Sequence, residues 1–225
     1  MALPDVSPSC PSPPSPFLPH EQLSARERLR TVARSVRSTV LAGERVVPVA
    51  DGWEGLLPGG GLQRGSVVAF DGPPGRGTTS LTLRVLAAAT AAGEWSAFVD
   101  LGGTLGGVAA AGAGVSLDRM AVVRGVAVDQ WATVVASLVD GVSVVAAEVP
   151  SRLRHADARR LVARVRERDA VLLAVGRWPA EAAATLRAEG GPWSGLGRGE
   201  GLLARRNLTV AVEHRGAART VALAG

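Results

Sequence analysis

The stretch Phe70-Asp-Gly-Pro-Pro-Gly-Arg-Gly-Thr-Thr-Ser80 constrains this chain more than any other. A short apolar run, Ser66 to Phe70, leads into a glycine-rich turn, and a helical pattern begins near Thr78. Strand, glycine-rich turn and helix in that order form the frame of a phosphate-binding loop, G-x-x-x-x-G-K-[ST], whose backbone N–H groups face an anion at the helix start. Gly72 and Gly77 take the two glycine positions, Gly75 and Arg76 lie between them, and Thr79 takes the hydroxyl position. Thr78 stands where the lysine belongs.

That lysine acts as a point charge on the β and γ phosphates, and a neutral hydroxyl cannot replace it. The chain contains no lysine at all, so the nearest cation in sequence is Arg76. The loop is therefore expected to be a structural remnant, able to hold an anion weakly through its backbone and Arg76 but without catalysis.

With 225 residues and 47% hydrophobic side chains, the chain is long enough for one well-buried domain with appendages. Its net charge of +5 rests on arginine alone. Arginine pairs with phosphate in a bidentate fork, which makes DNA a candidate ligand, although G+C-rich coding yields the same composition. Cys10 is the single cysteine, and His20, His155 and His214 are scattered without ligand spacing, so neither a metal nor another cofactor is expected. No apolar run approaches a membrane span and no secretion signal is present, which implies a cytoplasmic protein.

Residues 1–20 form a Pro/Ser-rich tail whose composition cannot bury enough apolar area to fold. Residues 21–45 hold an amphipathic helix and a linker: Leu29, Val32, Val36 and Val40 share one face, beside a stripe of Arg26, Arg30, Arg34 and Arg37. From residue 46 to 225 strand and helix patterns alternate. A helix over Thr78–Ala92, a strand at Ala97–Leu101, a glycine-rich connection through Gly114 and a strand at Met120–Val123 come first. A helix over Asp129–Val139, a strand at Val142–Ala147, a helix over His155–Arg168 and a strand at Ala170–Val175 follow. Pro179–Glu189 is expected to be helical, Gly190–Gly201 a mobile loop, and the strands Asn207–Glu213 and Arg219–Ala224 a terminal hairpin. The fold class is α/β, a mostly parallel sheet with helices on both faces and a C-terminal antiparallel hairpin.

The order Leu57-Pro-Gly-Gly-Gly-Leu62, Arg64-Gly65, strand, Gly72–Thr79 loop, helix ending at Gly93 and Ala97-Phe-Val-Asp100 resembles the RecA-like superfamily over most of residues 46–224. In active members, the resemblance implies, a glutamate closely follows the Phe-Val-Asp strand. Here Asp100 is followed by Leu101, Gly102 and Gly103. The next core strand should end in an acidic residue for Mg²⁺, but it reads Val144-Val-Ala-Ala147 with Glu148 falling late, and the strand after it, Leu173-Ala-Val-Gly-Arg177, lacks the polar γ-phosphate sensor. Lysine, water activator, metal ligand and sensor are all read as missing, so the chain is not expected to be an enzyme.

A catalytically empty, arginine-rich RecA-like chain with an extra N-terminal helix is similar to the ImuA group in its actinobacterial ImuA-prime form, related to SulA. That resemblance implies an accessory of damage-induced, error-prone translesion synthesis. Its partners would be an ImuB-like polymerase homologue, an error-prone replicative-type DNA polymerase and RecA, with a place at the nucleoid after damage. The SulA relationship implies an alternative, a cell-division inhibitor binding FtsZ, and an ATP-dependent recombinase is disfavoured by the loop. By the same resemblance Leu29, Val32, Val36 and Val40 are candidates for partner binding. Arg159, Arg160 and Arg164, with Trp193 on its glycine-rich segment, are candidates for DNA or partner contact.

Overall fold

The computed structural model describes residues 46–49, 53, 57–196 and 200–223. The chain divides into two units, Met1–Val40 and Leu41–Gly225, and every described residue belongs to the second. The amphipathic face of Leu29, Val32, Val36 and Val40 thus lies outside the described residues.

Twelve strands and four helices follow one another in the described chain: β1 (Val46–Val47), β2 (Leu62–Gln63), β3 (Ser66–Asp71), α1 (Thr78–Ala91), β4 (Ser96–Asp100), α2 (Gly107–Gly112), β5 (Met120–Arg124), α3 (Trp131–Gly141), β6 (Val144–Glu148), α4 (His155–Arg168), β7 (Val171–Val175), β8 (Ala184–Gly190), β9 (Trp193–Leu196), β10 (Gly201–Arg206), β11 (Leu208–His214) and β12 (Ala217–Leu223). Eight of these strands form one sheet in the order β12-β11-β8-β3-β7-β6-β4-β5. The six strands from β8 to β5 are parallel, and β11 and β12 continue them antiparallel as the expected hairpin.

Two core layers follow from the period-2 alternation of the central strands. Val68, Phe70, Phe98, Val144, Ala146, Val171 and Leu173 meet Leu81, Val85, Leu86 and Ala89 of α1 on one face. Val67, Val99, Val145, Ala147, Leu172 and Ala174 meet Trp131, Val135 and Val139 of α3 and Leu161 and Val165 of α4 on the other. Burial of such side chains contributes about 1.5–3 kcal/mol each, so this double layer dominates the stability of the domain.

Three expectations are corrected. Pro179–Glu189 is not helical: Ala184–Gly190 is a strand that pairs parallel with β3 and antiparallel with β11. Its alanines suit a helix, but Ala184, Leu186 and Ala188 are buried while Arg187 and Glu189 are exposed, and this alternation fits the sheet between two partners. Gly190–Gly201 is not one loop, because Trp193–Leu196 pairs with Gly201–Arg206 in an antiparallel ribbon of its own. The connection through Gly114 carries the short helix α2, which glycine and alanine gave no periodic signal to reveal.

Candidate functional site

The loop lies at the C-terminal ends of the parallel strands, where open α/β sheets place their ligand crevices. Gly72, Pro73, Pro74, Gly75, Gly77 and the first turn of α1 line a groove of about 560 Å³, closed by Leu101, Glu148, Val149, Val175, Gly176 and Arg206. Both motif glycines are required by packing. A Cβ on Gly72 (φ 151°) would stand 2.8 Å from the Ala188 carbonyl oxygen, and one on Gly77 (φ 105°) 2.6 Å from Leu208 Cδ2. The turn is therefore pressed against β8 and β11, and a side chain at either glycine would displace it.

Its donor set is thinned relative to a working phosphate cradle. Pro73 and Pro74 carry no N–H, Gly72 N donates to Asp71 Oδ1 at 2.8 Å, and Arg76 N donates to the Pro73 carbonyl at 3.2 Å. The hydroxyl of Thr78 is buried without a hydrogen-bond partner, and it lies 3.0 Å from the position a Gly72 Cβ would take. What remains is the uncapped N-terminus of α1, whose first N–H groups have no intrahelical acceptor. The Asp71 carboxylate at the base of the loop is paired with Arg187 Nη2 at 3.1 Å, and these residues offer a nucleoside triphosphate neither a lysine nor a full set of loop N–H donors.

Arg76, expected to supply charge, turns aside: its Nη1 donates to the Glu189 carbonyl at 3.2 Å. The guanidinium that reaches the groove is Arg206, at the end of β10. Its Nη1 donates to the Gly75 carbonyl at 2.8 Å and its Nε to the Gly191 carbonyl at 3.2 Å. It also stacks over the Trp193 ring at 5.5 Å, so Trp193, about half exposed, stands beside the loop. No local motif marks Arg206 in the sequence; only the docking of β10 brings it here.

The carboxylates are also placed differently from the expectation. β6 runs one residue further, to Glu148, whose side chain lines the groove and accepts from Gly102 N at 2.9 Å. The position read as lacking an acid at the end of this strand is thus filled, a correction that strand register, not composition, decides. Asp100, at the end of β4, is fully buried and consumed by structure. It accepts from Arg124 Nε at 2.9 Å, Thr104 N at 3.0 Å and Leu105 N at 3.1 Å. Burial pushes its carboxyl up, but the hydrogen bonds from Arg124, Leu105 and Thr104, with the Arg124 charge, outweigh this and hold it below the ordinary carboxylate range. The residues after it, Leu101 to Gly103, supply no acid.

On α4, Arg164 donates to both oxygens of Asp140 on α3, through Nε at 2.8 Å and through Nη2, and Arg168 Nε donates to the same carboxylate at 3.0 Å. Arg160 pairs with Asp157 one turn back at 3.3 Å. The hydrogen bond from Arg164 holds the Asp140 carboxyl below its usual range, against a smaller effect of burial. Of the candidates for DNA or partner contact, Arg160 and Arg164 are thus engaged in ion pairs, and the three arginines lie on a different element from Trp193.

Residues 55–180, more than half of the chain, match the family described as MT3502 N-terminal domain. The chain belongs to that family. The MT3502 N-terminal domain match takes in the loop, Asp100, Glu148 and α4, whereas Trp193 and Arg206 lie beyond it. A stretch of 80 residues is also 32% identical to the DNA repair and recombination protein RadB of Methanosphaera stadtmanae, covering 36% of this chain and 30% of that protein. The chain thus spans about a third of the length of this relative. Among the described residues no helix is long and apolar enough to cross a membrane.

Proposed function

We propose that this chain is a non-catalytic RecA-like accessory protein of DNA-damage tolerance, working by binding partners in error-prone translesion synthesis. The observation that carries the reading is the loop itself: the strand–turn–helix frame is intact, yet its groove holds no lysine, its Thr78 hydroxyl is buried beside Gly72 without a partner, and Arg206 is spent on the carbonyls of Gly75 and Gly191. Similarity to RadB over 80 residues supports a place among proteins of DNA repair and recombination. A fold kept with its groove disabled serves through its surfaces. The partners we assign are an ImuB-like polymerase homologue, an error-prone replicative-type DNA polymerase and RecA, in the cytoplasm and at the nucleoid.

The test is damage-induced mutation frequency in a deletion strain, with cell length imaged in the same cultures. The expected result is lost mutagenesis with normal filamentation, restored by both the natural chain and its Thr78→Ala variant. Unchanged mutagenesis with failed division arrest overturns the reading in favour of a SulA-like inhibitor. ATP hydrolysis by the purified chain at rates ordinary for a recombinase also overturns it.

A further inference from the structure

The arginines of α4 are sorted. Arg164 and Arg168 share the Asp140 carboxylate of α3, and Arg160 is paired with Asp157, but among the described residues Arg159 and Arg166 have no ion-pair partner. These two, with His155, Val162 and Ala163, lie at helical spacing on one face, and Glu181 faces them across a groove of about 370 Å³. His155 Nδ1 lies 2.6 Å from the Pro179 carbonyl oxygen. A carbonyl only accepts, so Nδ1 carries the proton and Nε2 is left for the groove. Val162 is half-buried against the second core layer and Ala163 is exposed, so the floor between the two cations is apolar and low.

From this arrangement we infer that the His155–Arg166 face of α4 is a docking groove for an acidic amphipathic helix of a partner protein. Arg159 and Arg166 are seven residues apart, about 10.5 Å along the axis at 1.5 Å per residue. Acidic side chains seven apart on a second helix match that distance, and an apolar side chain midway between them meets Val162 and Ala163. An apolar centre with charged ends is the usual anatomy of a protein interface. Glu181 at the groove wall opposes any anionic ligand alike, so the choice falls to the apolar floor, from which a nucleic-acid backbone gains nothing and an apolar side chain between two acids does. The inference rests on the reading of the chain as a protein-binding accessory and names the chemistry of one partner surface.

The experiment is fluorescence anisotropy with the full chain. The probe is a labelled synthetic helical peptide with glutamates seven apart and a leucine between them. We expect the Arg159→Glu/Arg166→Glu double variant to weaken binding about tenfold or more at low salt, an effect that shrinks as salt screens the pairs. Arg159→Lys/Arg166→Lys should stay within about threefold, because lysine keeps the charge. Changing the peptide leucine to alanine should cost on the order of tenfold. Both arginines are exposed, and circular dichroism checks that the variants stay folded. Binding indifferent to charge reversal overturns the inference, as does a labelled single-stranded oligonucleotide that binds more tightly than the peptide and is the ligand lost on reversal. The titration reads the groove alone and the mutation frequency reads the cellular role, so either can fail without the other.

Discussion

Arg206 Nη1 donates to the Gly75 carbonyl at 2.8 Å, so a side chain from the tenth strand holds the turn that follows the third. β9 and β10 form a two-stranded sheet separate from the large one, and Arg206, bridging Gly75, Gly191 and the Trp193 ring, fastens that ribbon to the loop. Charge-assisted hydrogen bonds to carbonyls contribute about 1.5–3 kcal/mol in favourable settings. Arg206→Ala should therefore raise amide exchange in residues 193–196 and 200–206 by on the order of tenfold, with β4 and β6 unchanged. Hydrogen-exchange mass spectrometry reads this directly, and uniform protection in both proteins would show that the ribbon is held by other contacts.

Asp100 supplies a pH dependence. Its folded pKa is depressed, so its contribution is present above the unfolded value of about 3.9 and is lost as pH falls through the lower folded value. Asp100→Ala leaves the Thr104 and Leu105 N–H groups without their acceptor and should cost about 3 kcal/mol at neutral pH. The loss should begin to shrink below about pH 4, where Asp100 of the unfolded natural chain takes up a proton while the folded carboxylate stays charged, and it shrinks further as pH falls toward the lower folded value. Urea unfolding at pH 7 and pH 3 compares the two proteins, and an equal difference at both values would contradict the assignment.

How far the sequence reached depended on whether a residue's role was local. β3, α1, β4, β6, α4 and β7 were legible because apolar runs and helical spacing carry their own period, and the sheet and its hairpin followed. β8 was not, since Ala184–Gly190 is a strand only because β3 and β11 flank it. The missing lysine was visible at Thr78, but the surroundings of the loop were not: the buried, unpartnered hydroxyl, Arg76 directed to the Glu189 carbonyl, and Arg206 arriving from far along the chain are all products of docking. Likewise Arg159, Arg160 and Arg164 were candidates for DNA or partner contact alike, and the spacing did not reveal that Arg164 and Arg168 share the Asp140 carboxylate of α3.

Trp131 is the largest fully buried side chain, packed in the second core layer, and its Nε1 has no hydrogen-bond partner. Trp131→Ala should cost about 3–5 kcal/mol through lost burial and the cavity left behind. Trp131→Phe removes the unsatisfied N–H together with part of the ring, and these oppose each other. The phenylalanine variant should therefore lie within about 1.5 kcal/mol of the natural protein. Chemical denaturation checks the ordering, and a phenylalanine variant as unstable as alanine would mean that the indole N–H is satisfied in solution.

Thr78 separates structure from chemistry in the loop. Its hydroxyl is buried and unpartnered, so Thr78→Ala removes a desolvated polar group and improves helix propensity at the start of α1. We expect a gain of about 0.5–1 kcal/mol in unfolding free energy and no change in damage-induced mutagenesis. Thr78→Lys tests the other side. A cation near the N-terminus of α1 opposes the helix dipole, so this variant should be less stable, and anions should recover part of that loss by binding beside it. Isothermal titration with Mg-ATP should show tighter binding than in the natural chain. Hydrolysis should still be absent, because Leu101, Gly102 and Gly103 after Asp100 offer no carboxylate to activate water. Turnover by Thr78→Lys would show that the groove, with Glu148 at its wall, needed only the lysine to work.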